Sequence, residues 1–385
     1  MSTEQKKVTV IGGGIAGLTA AWELSRLNMD VDIVEKNSFL GGHAIQFCCK
    51  ATDECLQCGA CSVEKMLKNV VNAPNINIHL SAEVDTVSKN GKFSVSLKQN
   101  TGDADKKKAC DAGYDSDPAG CAALRGYSKN NAALEACDTA HQFDADAIVL
   151  ASGFQPFDAT RKSTYGYGTF RNVITGLEME QNRRVNGSVL RPSDGKPPQK
   201  VAFIQCVGSR DERLGNLWCS KVCCPYALRT AETIKHDNPD AEITVFYMDI
   251  QNTGKNFPSF YDKCKADMSF VRNIPVDVYP MEDEQLRIRY VQEEDGVPED
   301  AIFDLLVLSI GIMPGADNAD LSDLLKIELN QDGFFASADQ LNRTLTSENG
   351  IFIAGTAQGP KNIPSSMAHA GQAVCEVAKY LKGGK

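Results

Sequence analysis

The chain has 385 residues, 42% hydrophobic and 23% charged, with a formal net charge of −10. That length exceeds one small core and suits two lobes, at about 100–200 residues per domain, and the composition is that of a folded chain. The acidic balance excludes a nucleic-acid binder, which needs a basic face, and no apolar run approaches the roughly 18–20 residues that cross a bilayer.

Met1-Ser-Thr-Glu-Gln-Lys-Lys7 leads straight into a strand-like stretch with no apolar signal region. The expectation is a cytoplasmic chain without direct membrane insertion, meeting a membrane only through partner subunits. Val8–Ile11 reads as a short β-branched strand, followed by Gly12-Gly-Gly-Ile-Ala-Gly17 and a stretch of helical spacing from Leu18. Gly12 permits the tight turn, Gly14 lets the backbone approach a pyrophosphate, and Gly17 lets helix and strand pack closely. The helix start then turns its free N–H groups towards the phosphates. A second strand, Val31–Val34, ends in Glu35, a carboxylate placed to accept hydrogen bonds from ribose hydroxyls.

Fourteen cysteines in a chain with no export signal favour metal or redox use over structural disulfides. Cys48, Cys49, Cys55, Cys58 and Cys61 form the first group, and Cys55-x-x-Cys58-x-x-Cys61 has the spacing of the first three ligands of a ferredoxin loop. Cys48 or Cys49 would be the fourth. A second cluster on Cys49, Cys55, Cys58 and Cys61, redox-active or unligated thiols, and simple packing all remain open from spacing. Lys98–His141, rich in Lys, Asp, Gly and Asn, reads as a long loop between strands. Its Cys110, Cys121 and Cys137 are read as structural or unligated.

Val201–Ile204 reads as the first strand of a second lobe. Only Gly208 follows it where a nicotinamide-binding turn would carry several glycines, so NAD(P)H binding there is not expected. In its place stand Cys206, Cys219, Cys223 and Cys224. Four thiolates suffice for a 4Fe–4S cluster, although spacing alone also allows buried cysteines packed as small hydrophobes. Trp218 beside Cys219 reads as packing that keeps water off a cluster.

Three segments resemble two-dinucleotide-binding flavoproteins: Val34-Glu-Lys-Asn-Ser-Phe-Leu-Gly-Gly42, Ala147-Ile-Val-Leu-Ala-Ser-Gly153, and Asn349-Gly-Ile-Phe-Ile-Ala-Gly355. In the last, Thr356 stands where that family usually has Asp. The runs Gln205-Cys-Val-Gly-Ser-Arg-Asp211 and Trp218-Cys-Ser-Lys-Val-Cys-Cys-Pro-Tyr-Ala227 closely resemble the flavin-binding A-type subunits of heterodisulfide reductase and their relatives.

The resemblance implies an α/β, thioredoxin-reductase-like flavoprotein, with an FAD lobe and a degenerate second nucleotide lobe. The FAD lobe would span 1–157, with 98–141 as an excursion, and return at 311–385. The inserted lobe, 158–310, would hold a 4Fe–4S cluster on Cys206, Cys219, Cys223 and Cys224. FAD contacts are implied at Gly12, Gly14, Ile15, Ala16, Gly17, Glu35, Lys36, Gly42, His43 and Val84. Further contacts are implied at Ala151, Ser152, Gly153, Gly355, Thr356, Met367 and Ala368. His43 and His369 are nonetheless read mainly as structural, and Lys361–Pro364 as shaping a helix start.

No nucleophile or acid/base pair suggests a substrate pocket, so the expectation is an electron-transfer protein that depends on partner subunits. The compact size resembles the branch found in quinone-interacting membrane-bound oxidoreductases of sulfate reducers. That likeness implies electron passage between a membrane quinone module and adenylylsulfate reductase. The alternatives are a heterodisulfide-reductase-like component of another sulfur or energy-metabolism complex, a stand-alone NAD(P)H-dependent disulfide reductase, and a flavin-containing scaffold protein.

Overall fold

The computed structural model describes residues 5–99, 141–251, 256–293 and 296–383. Most of the Lys98–His141 excursion, with Cys110, Cys121 and Cys137, lies outside the described residues. The chain divides into two units: Met1–Ile45, Gly59–Gln155 and Pro314–Lys385 form the first, Gln46–Cys58 and Pro156–Met313 the second.

The first unit is built on a five-stranded parallel sheet in the order Ile351–Ile353, Ala147–Leu150, Lys7–Ile11, Asp30–Glu35, Ile76–Leu80. Four of these strands are buried almost throughout, as expected of a parallel sheet covered on both faces. The chain moves outward from the central Lys7–Ile11 strand on one side, then returns to its other side with Ala147–Leu150. Its carboxyl end is therefore the topological switch point where open α/β sheets bind ligands. The helices Ile15–Arg26 and Ile363–Leu381 pack on one another. The second of these begins as its sequence suggests, with Asn362 accepting from the Ser365 N–H at 2.9 Å and Pro364 in the first turn. A three-stranded antiparallel sheet, Ala82–Asn90, Lys92–Gln99 and His141–Ala145, completes the unit.

The second unit repeats the plan. Its parallel sheet runs Ser269–Val271, Glu242–Phe246, Lys200–Val207, Leu305–Ile310, Val173–Thr175. Beside it lies an antiparallel sheet of Val278–Pro280, Leu286–Val291 and Pro298–Phe303. The helix Gly176–Asn186 opens with a capping box between Thr175 and Glu178, and the helices Cys223–Asp237 and Phe257–Asp267 follow. The inserted unit thus spans 156–313 where the sequence suggested 158–310. It also takes in Gln46–Cys58, which the sequence reading left in the first lobe. No helix among the described residues is long and apolar enough to cross a membrane.

Candidate cofactor and cluster sites

In the first unit the three fingerprint glycines separate by what surrounds them. Gly12 has φ +104, and a Cβ there would overlap the Ala151 carbonyl. At Gly17 a Cβ would overlap the Gly12 carbonyl oxygen, whereas at Gly14 it would meet nothing within 4 Å. The turn and the packing therefore require Gly12 and Gly17, while Gly14 faces open space at the start of the Ile15–Arg26 helix, which has no side-chain cap. That is the arrangement a pyrophosphate needs. A second glycine turn closes the floor: the Gly41 N–H donates to the Gly13 carbonyl at 2.8 Å, and a Cβ on Gly42 would lie 3.1 Å from the Gly14 Cα.

Glu35 is buried. Its Oε2 accepts from the Gly13 N–H at 2.7 Å, and its Oε1 accepts from the N–H and Nδ2 of Asn37 at 2.8 and 2.6 Å. Burial raises its pKa, and these donors oppose the rise. The acid foreseen for a ribose also braces the glycine turn, and carboxylate oxygens keep further lone pairs for hydroxyls.

Other implied contacts vary in their surroundings. Lys36 pairs with Asp317 at 2.6 Å, and the Val84 side chain belongs to the core, leaving only its backbone to meet a ligand. Ala151 is buried, and the buried Ser152 Oγ makes no hydrogen bond. Gly153 has φ +85 with open space around it. A Cβ on Gly355 would press on the Ala16 Cβ, Thr356 is buried, Met367 is half-buried and Ala368 is exposed.

Both histidines have structural partners, as read from the sequence. The His43 Nε2 lies 3.0 Å from the Phe154 carbonyl, its ring against Phe154. The His369 Nδ1 accepts from the Gly355 N–H at 3.0 Å, so the imidazole is neutral with its proton on Nε2. Burial, and then Lys361, lower its pKa from 6.5 to about 4. Because the folded value lies below the unfolded one, the unfolded chain binds the extra proton between them. Stability from this contact is full above pH 6.5 and is lost as pH falls towards 4. We expect thermal unfolding to show about 1–2 kcal/mol of extra acid destabilisation in that window, after allowance for solvent screening. A His369→Gln chain should lack it, and an equal acid response in both proteins would remove the assignment.

In the second unit the cysteines of the second group converge. Cys206, Cys223 and Cys224 are buried together. Within this set the Cys206 thiol donates to Cys223, as does the Cys224 thiol, and these contacts hold Cys223 well below the usual thiol range. The same bond to Cys223, then burial, pushes Cys206 and Cys224 up. Cys219 is half-buried, close enough to feel the Cys223 charge, and its Sγ accepts from the Lys221 N–H at 3.2 Å. Cys223 opens a 15-residue helix, so the helix dipole favours negative charge there.

Sheet register shows what this set replaces. Lys7 pairs with Asp30, and Lys200 pairs with Glu242. Carried along the strands, the place of Gly13 in the first unit falls to Cys206 in the second, and the place of Glu35 falls to Tyr247. No acid stands at the place matching Glu35, and a thiol stands at the place matching Gly13. Residues 208–222 then intervene before the helix. Cys206 (φ +60), Arg210 (φ +54) and Lys221 (φ +60) all adopt the left-handed region. Such backbone in non-glycine residues is retained where a site needs it.

The donor set is all sulfur with no carboxylate, and a backbone N–H already points at one of its members. That chemistry fits an iron–sulfur cluster. Among the described residues no group of three or more His, Cys, Asp or Glu side chains is spaced about a single metal ion. A cluster spreads its ligands over several irons, so point coordination is not what it requires. Trp218 donates from Nε1 to the Ile312 carbonyl at 2.9 Å and is half-buried, in keeping with a packing role.

The first cysteine group is divided. Cys61 lies in the Ala60–Val71 helix of the first unit, while Cys48, Cys49, Cys55 and Cys58 belong to the second. The side chains of this segment bind it to second-unit helices. Lys50 and Glu180, both buried, form an ion pair. The Arg229 Nε donates to the Leu56 carbonyl at 2.6 Å, and Lys263 bridges Glu54 and Glu232 at 3.7 and 3.5 Å. The Cys48 thiol donates to Glu180 at 2.9 Å, and burial, with that carboxylate, pushes its pKa up to about 12. Cys48 thus serves Glu180 as a hydrogen-bond donor. Sequence reasoning missed Glu180, Arg229 and Asp249, whose partners lie far away along the chain and leave no local pattern.

Residues 10–55 match the model of the NAD(P)-binding Rossmann-like domain family. The structure is similar to thioredoxin reductase from Lactococcus lactis, with a TM-score of 0.59 and 15% identity over 98% of this chain and 100% of that one. Thioredoxin reductase from T. acidophilum gives 0.56 and 14%, over 98% and 99%. These likenesses establish a thioredoxin-reductase-like two-domain fold. In sequence, the chain is similar to the A-type iron-sulfur subunits of CoB--CoM heterodisulfide reductase. It is 32% identical over 98% of its length to one of these from Methanopyrus kandleri, spanning 65% of that protein. It is 33% identical over 99% of its length to the counterpart from Methanocaldococcus jannaschii, again spanning 65%. Against the A-type subunit of the ferredoxin/F(420)H(2)-dependent enzyme of Methanosarcina acetivorans it is 32% identical over its whole length but spans only 54%. The chain thus spans between half and two thirds of the length of these relatives. Near-full alignment of this chain at 32–33% identity, on a thioredoxin-reductase-like fold, makes it a homologue of the A-type subunits of heterodisulfide reductase.

Proposed function

We propose that this chain is an FAD- and iron–sulfur-containing electron-transfer component of a multi-subunit oxidoreductase. The observation that carries the reading is the convergence of Cys206, Cys219, Cys223 and Cys224 at the switch point of the second sheet, where counting on from the paired strands puts Cys206 at the place of Gly13 and Tyr247 at that of Glu35. Bound FAD would supply two-electron chemistry and an iron–sulfur centre one-electron steps. For the flavin, the residues present offer backbone N–H groups at the Ile15 helix start, the Glu35 carboxylate and the glycine floor. For the cluster they offer four sulfurs in a set that excludes water from Cys206, Cys223 and Cys224.

Among complexes, we favour one that links a membrane quinone module to adenylylsulfate reductase, on the resemblance to that branch of the family. Such a chain would sit on the cytoplasmic side, held at the membrane by its partner subunits. The names of the relatives favour the broader alternative, a component of a heterodisulfide-reductase-type complex. Co-purification from the native source distinguishes the two by the neighbouring subunits recovered.

Anaerobically purified protein tests the core reading. We expect flavin, iron and acid-labile sulfide together, and a flavin that NADH and NADPH leave oxidised. Iron-free protein whose flavin is bleached rapidly by NADH would establish the stand-alone disulfide reductase instead.

A further inference from the structure

Arg210 and Asp249 form an ion pair at the edge of the converged thiols. Their placement is fixed from several sides. The Arg210 N–H donates to the Trp218 carbonyl at 3.1 Å, which ties its left-handed backbone to the residue before Cys219. Ser209, the residue before it, donates its N–H to the Cys206 carbonyl at 3.1 Å. The Asp249 carbonyl is 3.8 Å from the Cys224 Sγ. Asp249 is therefore held at Cys224 directly, and Arg210 through the neighbours of Cys206 and Cys219, while the two charges hold each other. The pair lies just beyond the end of the Glu242–Phe246 strand, with Asp249 two residues past Tyr247, on the side of the sheet end where the first unit keeps Glu35.

We propose that Arg210 and Asp249 are positioning residues of opposite sign that set the reduction potential of the centre held by Cys206, Cys219, Cys223 and Cys224. The inference rests on the iron–sulfur reading of those cysteines. Reduction adds one electron to the centre, and so one negative charge. A fixed cation beside the sulfurs favours the reduced state, and a fixed anion favours the oxidised state. Arg210 lies in the turn between Cys206 and Cys219, with its N–H on the carbonyl just before Cys219, and Asp249, its ion-pair partner, meets the Cys224 thiol through its own carbonyl, so both charges stand beside the sulfurs. Both side chains are partly exposed, which moderates each effect without changing its sign.

The test is a potentiometric titration of the full chain, with the EPR signal of the reduced centre as readout, on the wild type, Arg210→Gln, Asp249→Asn and the double variant. Arg210→Gln should lower the equilibrium constant for reduction about tenfold, a shift of about −59 mV for a one-electron couple. Asp249→Asn should raise it by a similar factor, and the double variant should fall between them. The flavin potential should stay unchanged. A merely structural role would move both single variants in the same direction, and that result, or no shift in either, overturns the proposal. Should Arg210→Gln fail to assemble, Arg210→Lys keeps the charge and should titrate within about threefold of wild type, leaving the upward shift in Asp249→Asn to decide. Wild-type protein that lacks iron would refute the iron–sulfur reading itself, which iron analysis shows before any variant is titrated.

Discussion

Replacing Cys223 by serine should abolish one iron–sulfur EPR signal while leaving flavin content at wild-type level. Cys223 is the residue on which the other sulfurs converge: the thiols of Cys206 and Cys224 both donate to it, and it stands at the first position of its helix. A serine hydroxyl is smaller and far less acidic than a thiol, and the thiolate is the metal ligand. The flavin fingerprint lies in the other unit, on Gly12–Gly17 and Glu35, so its hydrogen bonds do not pass through Cys223. Loss of the signal with equal flavin separates the two cofactors. Retention of every EPR signal in the variant would refute the ligand assignment.

The second large effect divides two glycines three residues apart. Gly17→Ala should destabilise the fold by about 2 kcal/mol or more and strip the flavin, because the new Cβ overlaps the Gly12 carbonyl and backbone must move. Gly14→Ala should leave the thermal stability of flavin-free protein within about 0.5 kcal/mol of wild type. Its φ of −73° suits alanine, and its Cβ would meet nothing. Flavin retention should nevertheless fall at least tenfold, since the added methyl occupies the space a pyrophosphate must approach. Flavin bound equally well by Gly14→Ala would show that no diphosphate lies against that turn.

The first lobe was legible because its signals are local. Strand, glycines, helix, strand and acid follow one another within residues 8–35, and Gly17 acts on the Gly12 carbonyl only five residues away, although the Ala151 carbonyl that also requires Gly12 comes from far along the chain. The four second-lobe cysteines were legible as a motif, but not the reason they suit their place. That reason is the equivalent place of Cys206 and Gly13 beyond the ends of matching strands, which depends on which strands lie side by side. The contacts of the first cysteine group were hidden for the same kind of cause: Lys50 on Glu180 and Arg229 on Leu56 join residues more than a hundred positions apart and leave no local pattern.

Because Gln46–Cys58 belongs to the second unit although in the chain it falls between two segments of the first, no single cut separates the two units. A fragment beginning at Pro156 would carry the Glu180 carboxylate into the interior with no ammonium opposite it, an isolated charge costing several kcal/mol. During synthesis Gln46–Cys58 emerges well before the Gly176–Asn186 helix that supplies its buried partner Glu180.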